Sequence, residues 1–225
     1  MKELTRPPTL TSAVVDAIKE SILRGDLRPG EALREVELSE SLRTSRGTVR
    51  EAFRQLENQG LIELIPYRGA FVTQLTPTKI KEIFTIRALL EPYAVRLASE
   101  GRRYTPEILG QLDDLIERLS DQEAAQRYAD VVSTDIEFHR TLVSVCGHTL
   151  LINLLEELRS LTYLFMFNTE LFHSDVMPLG ASHGAILESL RTGDAEVAER
   201  AVRAHIVQSG ELLLERLENM GNGAP

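Results

Sequence analysis

Cysteine is nearly absent from this chain: Cys146 is the only one in 225 residues. A single thiol excludes an internal disulfide and any CxxC site, which fits a reducing compartment. Cys146 follows the apolar run Leu142-Val143-Ser144-Val145, a core setting. No apolar run approaches the roughly 20 residues of a membrane span, and Met1 to Thr11 lacks the apolar centre of a signal peptide. A cytoplasmic protein with no membrane partner is therefore expected. Low-complexity segments and clear repeats are missing, and no strand signal occurs from Pro77 to the end.

An excess of positive charge is missing too. The net charge is -9, which argues against whole-protein attraction to nucleic acid. The acidity is unevenly spread. Residues 1 to 75 hold eleven basic and eleven acidic side chains, whereas the remainder holds fourteen and twenty-three. The split places a domain boundary near Thr76-Pro77, giving domains over 1–75 and 76–225. The first domain has its arginines concentrated at 43 to 54, so it can present a local basic surface.

In the first domain, Leu10, Val14, Ala17, Ile18 and Ile22 recur at helical spacing, started by Thr11 or Ser12 and stopped at Gly25. Asp26 to Gly30 is turn chemistry, and Leu33 to Leu42 predicts a short second helix with Val36, Leu38 and Leu42 inward. After Arg43-Thr44, Ser45 is a good N-cap for a third helix whose apolar stripe is Val49, Phe53 and Leu56. Arg46 and Arg50 stand four apart on another face of that helix. Arginine suits bidentate bonds with guanine or phosphate, although a solvated helix face is the plainer reading of two charges. Two short helices joined this tightly form a helix-turn-helix. The runs Leu61 to Ile65 and Ala70 to Thr73, separated by Pro66-Tyr67-Arg68-Gly69, then predict a β hairpin, the wing of a winged helix. Glycine at its tip allows backbone to approach nucleic acid closely.

Several of these segments in order, Pro29-Gly30-Glu31-Ala32-Leu33-Arg34-Glu35, Ser45-Arg46, Val49-Arg50-Glu51-Ala52, Leu56 to Ile62 and Arg68-Gly69-Ala70-Phe71-Val72, resemble the DNA-binding domain of the GntR family of bacterial transcription regulators. The resemblance implies a dimer on a short palindromic operator, with Arg46 and Arg50 at the bases and the wing in the minor groove. It extends the DNA-binding set to Arg34, Ser45, Arg46, Thr48, Arg50, Arg68 and Gly69. Arg43-Thr44 stands where the family usually has Gly-Val, and Gly47-Thr48 where it has Thr-Pro. The base preference therefore does not carry over from any relative.

The second domain reads as helices over 78–99, 105–119, 123–146, 149–168, 176–191 and 194–219, an antiparallel bundle. Its separators are Gly101, Gly147-His148, Phe172 to Asp175 and Thr192-Gly193-Asp194, and Pro92 should bend the first of these helices or cost it a backbone bond. Asp135 and His139 share one helix face a turn apart, and His183 and His205 lie beside apolar neighbours on the last two helices. Three imidazoles and a carboxylate gathered inside a bundle suit a divalent ion, zinc first, with nickel or manganese as alternatives. The order Asp135-x-x-x-His139, His183, His205 resembles the metal-binding form of the FadR-type C-terminal (FCD) domain, an effector-sensing bundle. Ser182 stands where that form commonly has glutamate. His148 and His173 fall outside the set and read as surface residues. Arg87, flanked by Phe84, Ile86, Leu89 and Leu90, is expected to be partly buried, paired either with Glu91 or with the carboxylate of an effector.

The expected protein is mainly α, a winged helix-turn-helix followed by an all-α bundle. Its expected function is transcriptional regulation, as a homodimeric repressor whose operator affinity is set by a small organic acid at a metal site. A metal-dependent hydrolase uses the same three histidines and Asp135 to activate water, but leaves the DNA-binding module unexplained. A sensor of the metal ion itself also uses those residues.

Overall fold

The structure is a computed structural model that describes residues 9–74, 76–168 and 179–222. Its contacts divide the chain into two compact units, Met1–Leu75 and Thr76–Pro225.

In the first unit, α1 spans Leu10–Leu23 and is capped by Thr9, whose side chain accepts from the Ser12 backbone N–H at 3.1 Å. The cap thus lies two or three residues before the expected Thr11 or Ser12. The helix buries Val14, Val15, Ile18 and Ile22 and packs on α3, Arg46–Asn58. That helix buries Val49, Ala52, Phe53 and Leu56. Between them lies α2, Glu35–Ser41, shorter than the helix expected from Leu33. Ala32–Leu33 instead form a strand, β1, pairing antiparallel with β3, Gly69–Val72. The pairing commits Leu33 to the sheet, and Arg34 stays extended as the N-cap of α2. Val36 is consequently exposed rather than inward, and Ser39 is the buried residue of α2.

The wing is β2, Ile62–Ile65, paired with β3 in the register Ile62 to Val72 and Ile65 to Gly69, so the sheet order is β1-β3-β2. At its turn Tyr67 (φ +62°) and Gly69 (φ +102°) are left-handed, which glycine permits freely and tyrosine does not.

Six helices make up the described part of the second unit: α4 Pro77–Glu100, α5 Pro106–Ala124, α6 Tyr128–Ser144, α7 Thr149–Asn168, α8 Leu179–Arg191 and α9 Ala195–Asn222. Thr76 and Thr105 cap α4 and α5, each with a proline at the first helical position, where its missing N–H costs nothing. Thr78, where the sequence places the start of this helix, lies inside α4. Asp194 caps α9 by accepting from Glu196 and Val197 N–H.

The expected 123–146 helix begins later, because α5 runs on to Ala124 and the chain turns at left-handed Gln126. The expected separator Phe172 to Asp175, with His173, lies outside the described residues. Within the unit α4 packs on α9, α7 and α6, α5 on α6 and α8, and α8 on α9. Cys146 is buried with Ala94, Ala98, Val143, Leu151 and Leu155. No helix among the described residues is long and apolar enough to cross a membrane.

Candidate functional site

The packing of α4, α6, α8 and α9 brings one polar cluster into the apolar interior of the second unit. Asp135 and His139 project from α6, His183 from α8 and His205 from α9, and all four are buried. One ligand atom from each lies within 4.8 Å of every other. His139 Nε2 is 3.2 Å from His205 Nε2, and His183 Nε2 is 3.1 Å from Asp135 Oδ1. Donors bound at about 2.0–2.2 Å to one ion stand roughly 3.0–3.5 Å apart. These two spacings suit a shared cation, while His139 Nε2 and Asp135 Oδ1, at 4.0 Å, would have to draw slightly together around it. Phe138 forms an apolar wall, meeting the His183 and His139 rings edge-on at 4.4 and 5.6 Å between centroids.

Electrostatics prepares the same group for a cation. Burial pushes the Asp135 carboxyl up, but the hydrogen bond from His183 and the charges of His139, His183 and Arg87 outweigh it, holding the group below the usual carboxylate range. Burial, then His183 and His139, push His205 well below the usual imidazole range, so it is neutral at physiological pH. Among the described residues, neither Asp135 Oδ2 nor His205 Nδ1 finds a hydrogen-bond partner although both are buried. Buried polar atoms are rarely left without one, and the donor set Asp-His-His-His fits zinc or a related divalent ion.

Arg87 and Glu91 complete the arrangement from α4. Arg87 is fully rather than partly buried. Its Nε donates to Glu91 Oε1 at 2.6 Å, and its guanidinium lies 5.1 Å from the Phe84 ring centroid. Ile86 and Leu89, read as its apolar cover, face outward; Phe84 and Ala88 are buried beside it. Glu91 Oε2 meets His139 Nδ1 at 2.7 Å. Sequence reasoning named Glu91 only as a partner for Arg87 and missed its bond to His139. The i,i+4 spacing of Arg87 and Glu91 signals their own pair, whereas the bond to His139 spans 48 positions and leaves no local signal.

Beside the cluster a small, half-open cavity is lined by Arg87, Glu91, His139, Arg140, Glu156, Arg159 and Thr162 together with apolar residues of α6 and α7. Glu156 pairs with both Arg140 and Arg159. Of the four clustered residues, His139 is the one on this lining. Outside the site, His148 is exposed and its Nδ1 accepts from the Leu151 N–H at the start of α7.

In the first unit, Ser45 caps α3 as expected: its Oγ accepts from the Thr48 N–H at 3.1 Å and lies 2.8 Å from the Thr48 hydroxyl. Arg46 is exposed on the first turn. Arg50, one turn on, is held by Glu35 of α2 through two bonds of 3.0 and 2.7 Å. Arg34 pairs with Glu37 at 3.1 Å. Arg68 and Gly69 stand at the wing turn, with the Arg68 guanidinium 5.4 Å from the Phe71 ring centroid. One open cleft joins Arg50 and Arg54 to Tyr67 and Gly69. Tyr67 is fully exposed at the tip and was not singled out from the sequence, where only its place between Pro66 and Arg68 marks it.

Residues 10–72 match the family of bacterial regulatory proteins, gntR family, and residues 82–208 match the FCD domain. A probable D-xylose utilization operon transcriptional repressor of Paenarthrobacter nicotinovorans is 33% identical over 208 residues, covering 91% of this chain and 88% of that protein. The galactonate operon transcriptional repressor of Escherichia coli K12 is 29% identical over 230 residues, covering 91% and 97%. Among solved structures, a putative GntR transcriptional regulator from Rhodococcus sp. RHA1 superposes with a TM-score of 0.76 at 25% identity, covering 91% and 97%. These relatives are transcription regulators and not hydrolases. With a gntR-family winged helix-turn-helix followed by an FCD domain, the chain belongs to the GntR family of bacterial transcription regulators, in its FadR-type branch.

Proposed function

We propose that this regulator is a repressor whose operator affinity is set by a small organic acid bound against a divalent ion, which Asp135, His139, His183 and His205 would hold. The observation that carries the reading is the buried cluster opening through His139 onto a cavity that also carries Arg87, Arg140 and Arg159. When bound, the ion would supply a Lewis-acidic point for a carboxylate oxygen, and the guanidinium groups on the lining would supply hydrogen-bond donors for the rest of an acid. Zinc suits the donor set best, with nickel or manganese as alternatives. One relative is named for the operon of galactonate, itself an organic acid.

On the DNA side, Ser45, Arg46, Thr48 and Arg50 present the first turns of α3 to base edges, Arg34 approaches the backbone, and Arg68 and Gly69 carry the wing into the minor groove. Two copies match a two-fold operator. Ile86, Leu89 and Tyr93, exposed at i, i+3 and i+7 along α4, offer an apolar face for a second copy. An acid changes DNA affinity only by binding one dimer geometry better than another.

The test is to select binding sites from a randomised duplex pool, then titrate the selected duplex with zinc-loaded protein in the presence of sugar acids and small hydroxy acids. Release of DNA by an acid in wild type but not in Arg87→Ala supports the reading. Indifference to every acid overturns it.

A second reading follows from the completeness of the donor set. Four buried ligands satisfy a tetrahedral ion without any organic partner, so the ion itself can be the signal. It predicts that chelation alone changes DNA affinity.

A further inference from the structure

The bond between Glu35 and Arg50 joins two helices across fifteen residues of sequence. Arg50 Nε donates to Glu35 Oε1 at 3.0 Å and Arg50 Nη2 to Glu35 Oε2 at 2.7 Å, a parallel fork of two charge-assisted bonds. The arginine side chain is 59% exposed and the glutamate 31%, so the pair sits where solvent screens it. Exposed pairs of this kind contribute little stability, and the fold alone gives no reason for so ordered a contact. Arg46, one turn earlier on α3, makes no such pair among the described residues.

The geometry has a consequence for recognition. A guanidinium has two edges that can offer parallel donors, Nε with Nη2 and Nη1 with Nη2. Glu35 takes the first. The second remains for a guanine, whose O6 and N7 accept side by side in the major groove, whereas adenine presents a donor at the place of O6. The carboxylate also cancels the charge of the guanidinium it holds. A neutral pair gains little from phosphates, which carry no sequence information, and keeps its directional bonds for a base edge.

We infer that Glu35 is a specificity-determining positioning residue: it fixes Arg50 so that the free guanidinium edge reads a guanine instead of clamping phosphates indiscriminately. The inference rests on the reading that Arg50 meets bases.

The experiment compares full-length wild type, Glu35→Gln, Glu35→Ala and Arg50→Ala by selection from a randomised duplex pool, followed by anisotropy titrations on the selected duplex and a scrambled one over a range of salt. Arg50→Ala should erase the preference for one guanine in each half-site. Glu35→Gln and Glu35→Ala should reduce that same preference roughly ten-fold or more while steepening the salt dependence on scrambled duplex, with an unchanged thermal midpoint. Glu35→Asp, which restores the charge but not the reach, should recover the shallow salt dependence and only part of the guanine preference. Wild-type preference in Glu35→Gln at the position erased by Arg50→Ala would overturn the role of Glu35 and leave that of Arg50 standing. A selected motif unchanged in Arg50→Ala would overturn both. Equal tightening of Glu35→Ala on all duplexes would make Glu35 a mask, contrary to the inference.

Discussion

Glu91 Oε2 lies 2.7 Å from His139 Nδ1, while the other oxygen of the same carboxylate takes Arg87 Nε at 2.6 Å. Burial pushes the Glu91 carboxyl up, but Arg87 and then His139 outweigh it and hold it at about 2. An ionised carboxylate can only accept, so His139 Nδ1 is the donor in this bond and Nε2 is the nitrogen turned to the cluster. Glu91→Gln should therefore weaken divalent-ion affinity about 10- to 100-fold, read by competition with a chromophoric chelator. Unaltered affinity would show that His139 is oriented without Glu91.

The cluster should also couple ion binding to stability. A ligand bound only by the folded state, at 100 times its dissociation constant, stabilises by about 2.7 kcal/mol. Adding zinc to chelator-treated wild type should raise the thermal midpoint by several degrees, and His205→Ala should abolish most of that rise. An equal rise in both proteins would place the binding elsewhere.

Much of this arrangement is legible in the sequence because it is local. The stripe Val49, Phe53 and Leu56 and the cap Ser45 define α3, and the i,i+4 pair Asp135 and His139 places two side chains on one face of α6. What escapes is non-local. β1 is two residues long, too short for alternation to register, and exists only because Phe71 and Ala70 lie opposite it. The end of α5 carries no glycine or proline, and the left-handed residue there is Gln126. Glu91 meets His139 across 48 positions and Glu35 meets Arg50 across 15, so neither bond leaves a periodic trace.

Arg46 and Arg68 should differ in how they affect DNA binding. Arg46 is exposed on the first turn of α3, whose orientation the Ser45 cap fixes. Arg46→Ala should cost about 1–3 kcal/mol on the selected duplex and less on a scrambled one. Arg68 lies over the Phe71 ring at the wing. Arg68→Ala should weaken binding to both duplexes alike and reduce the salt slope by about 1. Anisotropy titrations on the two duplexes separate these outcomes, and a sequence-dependent loss in Arg68→Ala would mean that the wing reads bases.

Alkaline pH should unfold the second unit through Tyr104. Its hydroxyl donates to the Leu142 carbonyl at 2.9 Å, and burial, followed by the charge of nearby Cys146, pushes its ionisation well above the ordinary range. The folded state thus holds this proton more tightly than the unfolded chain, whose tyrosines ionise near pH 10. By linkage, the stability from the protonated phenol is fully present below about pH 10 and is lost progressively as the pH rises beyond it. Tyr104→Phe should lower stability at neutral pH by about 0.5–1.5 kcal/mol, the usual worth of one hydrogen bond, and should flatten the alkaline loss. Tyrosinate absorbance followed together with far-ultraviolet circular dichroism provides the check. In wild type one of the five tyrosines should ionise only as helicity disappears. Ionisation of all five near pH 10 with helicity intact would contradict the burial of Tyr104.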